Sequence, residues 1–369
     1  MGSRLFSPFT LRALTFQNRI MVSPMGQCSA EDGCATHWHL MHLGNLAISG
    51  AGAVVVEATA INPSGRNTPV DLGLWNDQQA EALEMPLAFC RRHSSAKLGL
   101  QLWHAGRKGS VMPAWERNKL IPQDRGGWQV YGASDIPYPG RHQPRALEPD
   151  QIEQCIGDFV AAAKRADQLN LDFLEIHGAH GYLIHNFLSP LTNTRSDRYG
   201  GDLENRMRFA LEVFQAVRAV WPSEKPLGMR LSTTDWVDGG WSLADSVVLA
   251  TRLRALGCDY ITASSGGAVP EQNINIHSGY QVPFADEIRR EAKIATIAVG
   301  LIIEPRQAEE ILARGQADMV ALARVMLFNP RWPWHAAIEL GEEPSIPPQY
   351  ERAHPAMRRM DFLKAKRDS

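Results

Sequence analysis

The sequence predicts an α/β chain folded as a single (β/α)8 barrel, and three observations predict it. Eight short runs rich in β-branched and aliphatic residues recur along the chain. Stretches with helical spacing of their apolar residues lie between them, the alternation that gives parallel strands joined by right-handed crossovers. The 369 residues suit one such barrel with insertions, although length alone would also allow two average domains. A doubly wound open sheet is the structural alternative, but no GxGxxG follows an early strand to support it.

In chain order the runs are "RIMVS" (19–23), "AVVVE" (53–57), "KLGLQL" (97–102) and "FLEI" (173–176), then "LGMRL" (227–231), "YITA" (260–263), "TIAV" (296–299) and "MVALA" (319–323). Amphipathic stretches such as "DQIEQCIGDFVAAAKRADQL" and "LADSVVLATRLRAL" supply the helices between them. One domain is expected over residues 1–369: an N-terminal hairpin, a barrel core over about 19–340 and a C-terminal tail over about 341–369. The stretch 106–149 is rich in Pro and Gly and holds Trp115, Trp128, Tyr131 and Tyr138. A connection this long in a compact barrel is usually functional, so it reads as a cover over the site, with room for a short hairpin.

With 44% apolar and 21% charged residues and a formal net charge of -2, the composition is that of a globular chain with a large core. So small a charge gives no reason to expect nucleic acid or an anionic membrane as partner. No apolar run approaches the ~20 residues of a membrane span. The basic end "RRMDFLKAKRDS" reads as a solvated tail. Five scattered cysteines without a CxxC pair argue for free thiols in a reducing cytosol, and against cysteine-ligated zinc or an iron–sulfur cluster. The start, "MGSRLFSPFTL", lacks the apolar core and cleavage site of a signal peptide, so the expected location is cytoplasmic.

Polar or backbone-permissive residues stand where nearly every strand ends: Pro24-Met25-Gly26, Ala58, Gln101 and His104, then His177, His180 and Tyr182, followed by Arg230, Ser264-Ser265-Gly266-Gly267, Gly300 and Arg324. Barrel active sites are built on that face. His177 and His180 could share a metal, but no carboxylate or cysteine stands in an obvious partnering position; Glu175 is expected on the opposite side of its strand. They could be histidines satisfied within the structure. The third reading has two N–H donors gripping a ligand oxygen or anion. Tyr182 is either a packed aromatic or a proton donor, since a phenol of pKa ~10 stays protonated at neutral pH. Gly300 and "ALARVM" (321–326) end the last two strands, where barrels commonly bind phosphate through backbone N–H groups. Arg324 would add a bidentate partner or serve in a structural ion pair. Arg230, inside a strand, needs either a partner such as Asp235 or a ligand that becomes negative. Gln101 offers a donor and an acceptor to the edge of a heterocycle.

Six segments then bear a resemblance: "NRIMVSPMGQCS", "VVEATAINPSGRNT", "LQLWHAGRKG", "EIHGAHGYLIHNFLSPLTNTRSDRYGGDLENRMRF", "MRLSTTDW" and "AVGLI". The chain resembles the Old Yellow Enzyme family from about Leu5 to Arg352, and is most similar to its thermophilic-like, NADPH dehydrogenase branch of ene-reductases. The resemblance implies a TIM barrel holding FMN tightly but noncovalently at its C-terminal face. Pro24 and Met25 would lie against the flavin, with Ser23, Gly26 and Ala58 close by, Gln101 at the pyrimidine edge and Arg230 near N1 and the C2 carbonyl. Gly300, Ala323 and Arg324 would hold the phosphate. His177 and His180 would bind the substrate's activating oxygen, and Tyr182 would deliver the proton. The implied reaction is ping-pong reduction of an activated C=C bond, in an α,β-unsaturated carbonyl or nitro compound, with NADPH (or NADH) as reductant.

The chain departs from that branch at four places. Gly26 stands where a flavin-contacting cysteine is usual, and Cys28 where a substrate-contacting tyrosine is usual. Gly26 should enlarge the pocket and shift the flavin potential, so potentiometry on wild type and Gly26→Cys is expected to give different values. Trp103 replaces an alanine and is taken to point outward; Ala323 replaces a glycine and leaves backbone donation intact. The segment "QYERAH" (349–354) resembles one that reaches a neighbouring subunit's site. Arg352 would thus be an intersubunit finger or, alternatively, a surface arginine, and the implied assembly is a homodimer or homotetramer. Competing readings are a dienoyl-CoA-reductase-like flavin barrel, a flavin-free phosphate-binding barrel, and a noncatalytic flavoprotein that stores or senses redox state through Cys28.

Overall fold

The computed structural model describes residues 2–354, and in it all eight runs are strands of one closed parallel barrel. They are β1 (Ile20–Val22), β2 (Ala53–Ala60), β3 (Lys97–Trp103), β4 (Phe173–Gly178), β5 (Leu227–Ser232), β6 (Tyr260–Ser264), β7 (Ala295–Ala298) and β8 (Met319–Leu322). Sequential strands are neighbours, and β8 returns to β1 with Leu322 opposite Val22. The runs are largely apolar because both faces of each strand are covered, by helices outside and by packed side chains within, with polar residues such as Gln101, Glu175 and Arg230 set among them.

An antiparallel hairpin, Phe9–Leu11 with Leu14–Phe16, does precede the barrel. Its Phe16 ring meets Phe173 edge-on at 5.6 Å and joins Met21, Val55, Tyr260, Ile297 and Met319 in an apolar cluster. Gly99 makes room for that packing, since a Cβ there would lie 2.4 Å from the Phe173 ring. The second, larger cluster fills the layer between strands and helices, drawing Leu83 and Leu87 from Asp77–His93 and Phe159, Ala163 and Ala166 from Pro149–Gln168. Helix starts carry the side chains that satisfy first-turn N–H groups: Thr36, Asn76, Asp202 and Ser242 each accept one.

The 106–149 stretch differs from expectation in one respect. Tyr131–Gly132 and Arg145–Ala146 pair in parallel rather than as a hairpin. Arg195, from the loop after β4, donates to the Ala133 and Leu147 carbonyls and binds the stretch from outside. Buried Arg107 donates to the carbonyls of Ile136 and Ala268, tying the same stretch to the loop after β6.

The C-terminal segment sits at the other end of the barrel. Ser345, Pro347 and Pro348 line a groove with Gln17, Gly50 and Ser95, which precede the first three strands. Arg352 lies on the exposed turn Pro348–Ala353. The basic stretch 358–369, and with it the tail from 355 onward, lies outside the described residues.

Candidate active site

Register brings the expected residues together. Ala58 is opposite Gln101, Gln101 opposite Glu175, His177 opposite Arg230, and Arg230 opposite Thr262. The first pairing depends on a bulge: β2 shifts register between Val56 and Ala58, leaving Glu57 outside the ladder. Glu57 then accepts the Gln27 N–H at 2.7 Å and pairs with His39 at 3.1 Å, which anchors the segment following β1. That segment carries Pro24, Met25 and Gly26 at the strand exit. A Cβ on Gly26 would meet only Glu57 Oε2, at 3.9 Å, so the space for a larger side chain is open.

The histidine pair is built on a left-handed turn. His180 and Gly181 have φ of 59° and 69°, and Ser232 Oγ accepts the His180 N–H at 2.9 Å. The Ala179 N–H donates to His177 Nδ1 at 3.1 Å, so neutral His177 carries its proton on Nε2. His177 Nε2 faces His180 Nδ1 at 3.3 Å, and His180 Nε2 is 2.7 Å from Ser264 Oγ. Burial, and next the Arg230 charge, push both imidazoles well below their usual range. Below them His185 accepts the Gly181 N–H and pairs with buried Asp235 at 3.0 Å.

Asp235 is therefore not the partner of Arg230, whose Nη1 donates to Ser23 Oγ at 2.9 Å while its Nε has no partner. Arg324 likewise forms no ion pair among the described residues. Both guanidiniums line one cavity of about 420 Å³ with Ser23, Gly300 and Ala323, a size typical of small-molecule sites. Gly300 has φ of 111°, a conformation open to glycine, and a Cβ there would lie 3.0 Å from Gln281.

Trp103 contradicts the expectation that it points outward. It is buried, its ring meets Tyr182 edge-on at 4.5 Å and stacks near His177 at 6.2 Å, and its Nε1 is unpartnered. Strand side chains alternate, so Trp103 must share a face with Gln101. Glu175 is a second correction by the same rule: it shares a face with His177, inside the barrel, and accepts from Gln101 Nε2 at 2.6 Å. Trp103→Ala is expected to lower stability by about 3–5 kcal/mol, read by denaturant unfolding, and to loosen the Tyr182 ring.

Tyr182 precedes the short helix Leu183–Leu188, and burial pushes its phenol up to about 12. Lys108, which sequence reasoning missed because it ends the single 3-10 turn Gly106–Lys108, too short to show a period, donates to the His180 and Gly267 carbonyls at 2.8 and 2.6 Å. Its ammonium lies 5.5 Å from the Tyr182 ring centre, and burial, then Arg107, bring it down to about 7. Cys28, at φ 47°, lies 3.6 Å from Asp71 Oδ1; burial and then that carboxylate push its thiol up to about 12. His104, by contrast, is a structural residue whose Nδ1 accepts the Gly106 N–H.

Comparison with known proteins agrees with this architecture. The model of the NADH:flavin oxidoreductase / NADH oxidase family matches residues 4–343. An NADPH dehydrogenase of Geobacillus sp. (strain WCH70) is 45% identical over 355 residues, 95% of this chain and 99% of that protein. One from Halalkalibacterium halodurans is 42% identical over 355 residues, 96% of this chain and 99% of its own. Morphinone reductase in complex with tetrahydroNAD has a TM-score of 0.76 at 28% identity, over 92% of this chain and 91% of that one. The chain thus belongs to the NADH:flavin oxidoreductase / NADH oxidase family, as the Old Yellow Enzyme resemblance implied, and is an NAD(P)H-dependent flavin oxidoreductase.

Proposed function

We propose that the chain is an ene-reductase that holds FMN at the C-terminal face of its barrel and uses NADPH to reduce activated C=C bonds. The observation that carries this reading is the pair of inward-facing imidazole nitrogens, His177 Nε2 and His180 Nδ1, beside the Tyr182 phenol. The residues present fit the cofactor. Arg230 has a buried, unpartnered N–H for an anionic ring edge, Gln101 keeps an amide oxygen free, and Gly300, Ala323 and Arg324 line the cavity where a phosphate would lie. Bound there, FMN would supply the redox chemistry, hydride transfer from NADPH to the β-carbon of the alkene.

The chain's own residues do the rest. With His177 donating from Nε2, His180 Nδ1 accepts and His180 Nε2 faces Ser264 Oγ. A ligand oxygen entering between the two ring nitrogens would be held by two donors once Ser264 donates to His180 Nε2 and the His180 proton resides on Nδ1. A carbonyl or nitro oxygen placed there accepts both, and the pair strengthens as that oxygen gains negative charge; one such donor contributes about 3–4 kcal/mol. Because burial keeps both rings neutral, they act as hydrogen-bond donors and not as acids. Tyr182 then gives its proton to the α-carbon, and Trp103 holds the phenol in place from one edge.

The raised Cys28 pKa weighs against the redox-sensing alternative, since the reactive form of a thiol is its thiolate. Anaerobic stopped-flow tests the proposal: NADPH should bleach the flavin, and cyclohexenone or maleimide should restore its colour. Folded protein that is colourless and takes up no FMN overturns it; bleaching without recolouring by any alkene favours the storage flavoprotein.

Arg352 stands at the barrel end opposite its own chain's site, so a role in catalysis requires a neighbouring subunit of a homodimer or homotetramer. Arg352→Ala is expected to raise the substrate KM severalfold, measured at saturating NADPH; an unchanged KM makes it a surface arginine.

A further inference from the structure

The steps above make no use of Glu175, a carboxylate buried in the barrel interior beside the residues assigned to the flavin. Its Oε1 accepts from Gln101 Nε2 at 2.6 Å and its Oε2 from Thr262 Oγ1 at 2.5 Å. It lies opposite Gly228 in β5, one layer below Arg230, and no cation among the described residues forms an ion pair with it. Burial pushes the Glu175 carboxyl up; Arg230, and then the hydrogen bonds from Thr262 and Gln101, oppose that and favour the carboxylate. Glu175 is in turn the main anion acting on Arg230.

We propose that Glu175 is the fixed counter-charge of the flavin site, holding the flavin's reduction potential down and fixing which end of the Gln101 amide faces the ring. The inference rests on the flavin reading. Arg230 alone would favour the reduced, anionic ring strongly, because little water screens charges in the interior. A carboxylate one layer below offsets part of that pull and leaves the reduced flavin a better hydride donor. The same carboxylate engages the Gln101 NH2 group, so the amide oxygen is the end presented upward as an acceptor for a ring N–H.

Anaerobic dye-equilibration of the holoenzymes tests this. In Glu175→Gln the oxidised/reduced equilibrium is expected to move about tenfold toward reduced flavin, about 30 mV upward for a two-electron couple. Glu175→Asp, which keeps the charge, should stay within about threefold of wild type. An unchanged or lowered potential in Glu175→Gln overturns the proposal, as does an equal upward shift in Glu175→Asp. Should Glu175→Gln fail to retain flavin, the wild-type protein still decides. With carbon-labelled glutamate, its reduced-minus-oxidised infrared spectrum should show a labelled carboxylate band that moves, and no such band overturns the assignment. Wild type that binds no flavin at all would instead defeat the underlying reading, whereas flavin-loaded variants of equal potential defeat this inference alone.

Discussion

Tyr182→Phe is expected to slow reoxidation of the reduced enzyme by cyclohexenone about 10²–10⁴-fold, while reduction by NADPH stays near the wild-type rate. The asymmetry follows from chemistry: only the alkene half-reaction needs a proton on carbon. The substitution keeps the ring, so the edge contacts to Trp103 at 4.5 Å and His177 at 5.0 Å survive and the change reports on the hydroxyl alone. Since burial pushes the phenol up to about 12, its proton is lost only as pH rises through that value. No Tyr182 limb should appear between about pH 6 and about pH 9. Separate stopped-flow traces for the two halves check this, and reoxidation within about threefold of wild type would assign the proton to another group.

His177→Ala should cut turnover with cyclohexenone about 10²–10³-fold, the usual cost of one donor to a developing oxyanion. His180→Ala should act similarly, and the double variant should lose less than the product, since in the proposed mode the two rings would grip one oxygen. Burial and Arg230 hold both imidazoles well below 6.5, so they gain a proton only as pH falls through that depressed value. Near neutral pH they contribute no titration. Lys108 does titrate there: it loses its proton as pH rises through about 7, weakening its hold on the His180 and Gly267 carbonyls. An inflection near pH 7 that disappears in Lys108→Met supports this assignment; one that disappears in His177→Ala contradicts it.

Much of the site is legible in the sequence because it is carried by strand ends. The eight apolar runs set the barrel, and chain order then fixes the neighbours, so Gln101, His177, Arg230 and Gly300 must converge on one face. Two misplacements came from a signal that was present. Period-two alternation groups Trp103 with Gln101 and Glu175 with His177, which rules out the outward tryptophan and the averted carboxylate. Lys108 carried no such signal, because a single 3-10 turn is too short to show a period.

By itself, then, the sequence determined the strands, their order, and the His177–His180–Tyr182 constellation, since periodicity and spacing are local properties of the chain. Only the tertiary structure decided that Arg230 faces the cavity while Asp235 pairs with His185, that Trp103 braces Tyr182, and that Lys108 clasps two loops. Those outcomes depend on which distant side chains meet once the barrel closes, and contacts between residues tens of positions apart leave no trace in local pattern.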